Sequence, residues 1–219
     1  MTKTTTTRLL CAGVLAVSPA FGHAFSGITD NPGDFLSTFA GSSSSTDLDV
    51  ISADVLYDAG TDLFKLTGTM SGAIGSTPTG FYIWGVNRGG GTAGFAANGI
   101  SGVLFDRVVR LNPNGTGLVP GVGDLPAGSV TVSGNTITGI VSGSMLPSTG
   151  FDKLDYTWNL WPRDGAFAGF AAISDFAPDN ANFATTAGPV PEPETCALLL
   201  AGMGFVGLAA RRRTSLRSD

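Results

Sequence analysis

The chain has 219 residues, of which 32 are glycine and only 13% are charged, with a formal net charge of −5. An acidic balance of this kind excludes a nucleic-acid surface built on basic residues and disfavours contact with anionic lipid. Two cysteines and a single histidine restrict metal and redox chemistry before any motif is considered.

The N-terminus reads as an export signal. Lys3 and Arg8 form a positive region, Leu9 to Val17 an apolar one, and Gly22-His23-Ala24 places small residues where a signal peptidase reads. Cleavage after Ala24 defines a signal peptide over residues 1–24, with Ala20 as the alternative site. Cys11 lies inside the apolar region behind Leu9-Leu10 rather than small residues, so a lipid anchor is not expected.

Removing that segment changes the inventory. Residues 25–190 contain no cysteine and no histidine, because Cys11 and His23 precede them and Cys196 follows. This excludes a disulfide framework, a Cys/His zinc site, Ser-His-Asp or Cys-His catalysis and an imidazole proton shuttle. The same span holds fourteen Asp, no Glu and six Lys and Arg, a net charge of −8. Glu favours helices, whereas Asp favours turns and caps, so a Gly-, Ser- and Thr-rich chain without Glu is expected to be all-β.

The span is long enough for one domain over residues 25–188 and too short for two comfortable ones. A first strand is predicted over Phe35 to Phe39, followed by Gly41 to Thr46 as a linker or an overlying loop. Further strands are predicted over Leu48 to Tyr57, Leu63 to Met70, Phe81 to Asn87, Val103 to Leu111, Ser129 to Ser133, Thr136 to Ser142, Lys153 to Trp161 and Ala171 to Phe176. Residues 58–62 form a hairpin loop, and Gly134-Asn135 a two-residue hairpin turn. Gly89 to Gly94 fits GxGxxG, but another turn region at Asn98 to Gly102 stands where the required helix should begin, so the glycines read as a loop. Eight or so short strands point to a single β-sandwich of jelly-roll kind, with a barrel as the alternative. Ala187 to Glu194, with three prolines, is an extended spacer.

Two side-chain groups are candidate sites. Asp54, Asp58 and Asp62 crowd one hairpin and offer the hard oxygens that suit Ca²⁺; solvated turn aspartates are the other reading, and no further cofactor is expected. Tyr82, Trp84, Trp158 and Trp161, with Arg88 and Arg163 near them in sequence, could give a sugar an apolar platform and polar partners. Alternating aromatics on strands are usually core, which is the other reading. An Asp-based glycoside hydrolase drawing on Asp106, Asp152 or Asp155 is the enzymatic alternative.

The C-terminal segment carries the most specific pattern. Residues 195–210 carry no charge and would span about 24 Å as a helix, close to a hydrocarbon core of about 30 Å. Arg211, Arg212 and Arg213 then hold that end, with the tail 214–219, in the cytoplasm. Pro191-Glu192-Pro193, the apolar helix and the arginines together resemble the PEP-CTERM sorting signal over residues 189–213. That resemblance implies recognition by the membrane enzyme exosortase, processing near the motif, and residence in the envelope or extracellular matrix of bacteria that make exopolysaccharide. The stretches Trp84 to Gly89, Val103 to Asp106, Asn159 to Arg163 and Ile173 to Pro178 also resemble PEP-CTERM proteins of unassigned function, with no catalytic residue to carry over. The expected role is a non-catalytic structural or glycan-binding component of a biofilm or floc matrix.

Overall fold

The computed structural model describes residues 27–188, together with Gly202 and Met203. The expected signal peptide, sorting motif and cytoplasmic tail lie outside the described residues, as does the membrane helix apart from Gly202 and Met203, which are helical and exposed. No helix among the described residues is long and apolar enough to cross a membrane.

The strands in chain order are β1 (Ile28–Thr29), β2 (Val50–Asp58), β3 (Leu63–Met70), β4 (Gly80–Asn87), β5 (Arg107–Leu111), β6 (Gly117–Val119), β7 (Gly123–Asp124), β8 (Val130–Ser133), β9 (Thr136–Ser142), β10 (Thr157–Asp164), β11 (Phe183–Ala184) and β12 (Thr186–Ala187). One sheet has the order β1-β2-β3-β9-β8, with β12 also on β2; the other has the order β11-β10-β4-β5-β6-β7. The pairing of β12 with β2 is parallel and the others are antiparallel. The all-β sandwich is therefore as the composition predicts. Its connections are simpler than a jelly roll, since most sheet neighbours are also neighbours in the chain. The order β10-β4-β5-β6 is a Greek-key arrangement in one sheet.

Alternation fixes which face is buried. In β3, Phe64, Leu66 and Met70 point inward, and in β9 Ile137 and Val141 do the same. The core between the sheets joins these to Tyr82, Trp84, Val86, Trp158 and Leu160 of β4 and β10. A second apolar cluster covers the outer face of β4 and β10, where Ile83 and Trp161 pack beneath Val103, Phe95, Phe105, Ile173 and Phe176 from the loops. Gly85 makes room there, because a Cβ at that position would collide with the Trp161 ring. The hairpin at Gly134-Asn135 is as expected: Ser133 faces Thr136, and Gly134 has φ +61°, the conformation a II′ turn needs at its first central position.

Four expected strands differ. The strand predicted over Lys153 to Trp161 runs instead over Thr157–Asp164, because Lys153–Asp155 forms a 3-10 turn. Ala171 to Phe176 begins in a 3-10 turn (Gly169–Ala172) and forms no ladder with β10, only an isolated bridge at Arg163–Ile173 and, one residue beyond it, another at Leu160–Ala177. The Ser174 N–H donates to the Pro162 carbonyl, and Pro162 has no N–H to return, so a continuous ladder cannot form. Phe35 to Phe39 is a turn-containing segment lying along residues 171–174, held by Leu36 N–H to Ser174 O (2.8 Å) and Ala40 N–H to Ala171 O (2.9 Å). The strand predicted from Val103 starts at Arg107, because Phe105 pairs instead with Thr92 in the overlying loop.

Candidate functional site

The aromatic residues expected as a sugar platform are corrected to core. Tyr82, Trp84 and Trp158 have no exposed surface between the sheets, and Trp161 is 2% exposed in the outer cluster. Trp158 Nε1 donates to Thr185 Oγ1 (2.9 Å), and Tyr82 Oη to the Asp47 carbonyl (2.8 Å), so the polar handles of both rings are satisfied internally. Arg88 is also buried: its Nε donates to Asp106 Oδ1 (2.9 Å) and its Nη1 to the Pro147 carbonyl (2.7 Å). Of the six residues in that group, Arg163 alone lines an open cleft.

Asp106 is occupied by structure. It accepts from Arg88, from Thr149 Oγ1 and from the Gly90 N–H (3.1 Å). Burial would raise its carboxyl, but the hydrogen bonds from Thr149 and Arg88 and the Arg88 charge outweigh it and hold the group below the usual carboxylate range. This tie also explains the Gly89 to Gly94 loop, which folds back onto Asp106 and Asn87 and leads into a three-residue turn rather than a helix. Asp106→Asn is expected to cost about 1–3 kcal/mol, read as a lower urea midpoint. Asp152 and Asp155 are exposed at either end of a 3-10 turn.

The three hairpin aspartates are not brought together. Asp58 caps its own loop through Gly60 N–H and Thr61 Oγ1 (both 2.8 Å), Asp62 accepts from Tyr57 Oη (2.8 Å) and Lys153 Nζ (2.5 Å), and Asp54 faces Thr186. The turn reading holds for Asp58, and the calcium expectation at this hairpin is corrected.

A different set converges instead. Asp30 and Asp34 flank the Asn31-Pro32-Gly33 turn after β1, Asp49 precedes β2, and Asp175 and Asp179 come from the segment after β10. Oxygens of Asp30, Asp34 and Asp179 lie within 4.8 Å of one another, as do those of Asp34, Asp49 and Asp175, so Asp34 joins two groups. Gly33 N–H donates to both Asp49 oxygens (3.0 and 2.9 Å), which draws the turn onto the strand. Asp175 accepts from Val50 N–H (3.0 Å) and Phe176 N–H (2.7 Å). Asp30 Oδ2 and Asp34 Oδ1 are shielded from solvent with no hydrogen-bond partner. Burial, then the charges of Asp30 and Asp34, push Asp175 up to about 8. Burial and Asp34 push Asp30 up to about 6, and burial and Asp179 raise Asp34. The two triads share Asp34, and the shielded, partnerless atoms belong to Asp30 and Asp34; carboxylate oxygens are the ligand type a hard divalent cation takes. Sequence alone hides this set because its members are scattered along the chain; the short Asp30-Asn31-Pro32-Gly33-Asp34 turn is its one local trace.

A cleft of about 690 Å³ opens on the outer face of the second sheet, at the ends of β4, β5 and β10. Register places Arg163 of β10 opposite Phe81 and Arg110 of β5 opposite Ile83, so both arginines belong to the same outer face as Phe81. The Arg110 guanidinium carbon sits 3.8 Å from the ring centroid.

Beyond the sandwich, the chain leaves from one sheet edge. β12 ends at Ala187, taking the first residue of the expected spacer into the sheet, and Gly188 N–H still donates to the Tyr57 carbonyl (2.8 Å). The segment beginning at residue 189 therefore starts directly from the fold. No curated protein matches the chain. Residues 189–213 match the family model of the PEP-CTERM protein-sorting motif, a span that contains Pro191, Glu192, Pro193 and Arg211 to Arg213. The chain is thus an exported protein that carries a PEP-CTERM sorting motif and is a substrate of exosortase.

Proposed function

We propose that the sandwich is a non-catalytic component of the extracellular polysaccharide matrix, delivered there by its sorting motif. The observation that carries this reading is the junction at Gly188: the sandwich is bonded into its last sheet residue and passes at once into the matched motif, so the sorted cargo is this domain. The chemistry of the cargo agrees. Its span offers no cysteine or histidine, and the Asp106 carboxyl is tied to Arg88 and held too acidic to act as a proton donor at neutral pH. A divalent cation, Ca²⁺ by ligand type, belongs to the same reading, with Asp34 joined either by Asp30 and Asp179 or by Asp49 and Asp175 as the residues that would hold it and the N-terminal turn as the part it would pin.

The test incubates the exported protein with the producing cell's own exopolysaccharide. Saturable co-sedimentation without release of reducing ends is expected. Steady release of reducing ends would establish the Asp-based hydrolase instead, and absence of co-sedimentation would remove the polysaccharide role.

A further inference from the structure

We propose that the cleft between Arg110 and Arg163 is a binding site for the carboxylate of an acidic saccharide, a uronate unit of a polysaccharide chain. This rests on the matrix reading above and names the chemistry of the ligand.

The domain is strongly acidic, yet this cleft gathers two of its six cations. The ion pairs among the described residues are Arg88–Asp106 and Lys153–Asp62, so Arg110 and Arg163 line the cleft with no carboxylate partner. The nearest acid in sequence, Asp164, is buried and turned to Thr79 Oγ1 (2.5 Å) and Ala166 N–H (2.9 Å). Arg163 donates through Nη2 to the Gly169 carbonyl (2.6 Å), while its Nε is shielded and has no partner. Arg110 is held by Asn112 Oδ1 (2.8 Å) and by the face of Phe81. Burial and the neighbouring Arg110 charge both depress Arg163, and an anion seated between the two would relieve that repulsion.

The shape fits a sugar. The volume is that of a small-molecule site, Phe167 adds an apolar wall that is 37% exposed, and Asn112 and Asn114 supply amides for hydroxyls. Planar guanidinium groups match a carboxylate in forked geometry, which a neutral hexose cannot use. The net negative charge of the domain opposes a polyanion at long range. At physiological ionic strength that field is screened within about 8 Å, and the close pair of arginines then decides the contact.

Isothermal titration of the exported protein with a tri-uronate oligosaccharide, its carboxyl-reduced neutral counterpart and sodium acetate tests the site. Saturable binding of the tri-uronate is expected, at least tenfold weaker for the neutral trisaccharide and for acetate. Arg163→Gln and Arg110→Gln should each lose tenfold or more with thermal midpoints close to wild type. Equal affinity for acidic and neutral sugars would overturn the assignment, as would acetate binding as tightly as the tri-uronate, which would mean a bare anion site. Variants that bind the tri-uronate like wild type would also overturn it. If both variants still co-sediment with the native polysaccharide as wild type does, this site fails while the matrix reading stands; if wild type itself does not co-sediment, the matrix reading fails.

Discussion

Trp158→Ala should come close to unfolding the domain. The ring has no exposed surface, packs edge-on to Phe64 at 5.4 Å between centroids, and donates to Thr185 across the β10–β11 edge. Truncating a buried Trp costs about 3–5 kcal/mol, against a total of roughly 5–15 kcal/mol for a domain. At about 3 °C per kcal/mol for a domain of this size, the thermal midpoint falls by roughly 10–15 °C. The measurement also separates the two readings that the sequence left open. A variant with the wild-type midpoint and altered sugar binding would return the ring to an exposed platform and contradict the packing described above.

The second large effect concerns the five aspartates. In chelator, the domain should lose stability as pH rises from about 4 to about 8. The sign follows from linkage. Asp175 and Asp30 have folded values raised to about 8 and about 6 from 3.8, so the unfolded chain releases those protons first. The favourable contribution is complete below the unfolded value and is lost as pH climbs to the folded ones, with a slope of up to about 1.4 kcal/mol per pH unit for each proton. Asp58, Asp62 and Asp106 are lowered, so what they contribute is lost only below the ordinary carboxylate range and leaves this window unaffected. Ca²⁺ should reverse the trend by replacing the protons, adding about 2.7 kcal/mol at a hundredfold excess over its dissociation constant. Asp34→Asn should raise the metal-free midpoint at pH 8 and abolish the response to Ca²⁺, whereas Asp58→Asn should leave that response intact. Scanning calorimetry across pH, with and without Ca²⁺, checks each part; a profile flat from pH 5 to 8 and unmoved by Ca²⁺ would remove the cation from the account.

The all-β class was legible because Gly, Ser, Thr and Asp dominate a chain without Glu, and the long strands were legible because alternation over seven or more residues is a strong signal. β3 and β9 fall on their expected bounds for that reason. β1, β6, β7, β11 and β12 have two or three residues each, too few to carry a period, and exist through pairing with longer neighbours. Pro162 in β10 breaks a ladder that local composition at Ala171 to Phe176 favours, a tertiary effect. The sites were less legible. Aromatic alternation on β4 and β10 is the same pattern whether the rings face a core or a ligand, and the second cluster buries even the outward-facing Trp161. The acidic set and the arginine pair depend on register between distant strands, which no local spacing encodes. The sorting motif was the opposite case, because its parts are contiguous and each has its own physical signature.

The most direct test is the intact mass of the protein recovered with the isolated matrix polysaccharide. The recovered chain is expected to begin near Phe25 and to end in the region of Pro191 to Pro193, free of residues 195–213 as polypeptide. Recovery of the protein only in the inner membrane, with the apolar segment and Arg211 to Arg213 still attached, would contradict that expectation.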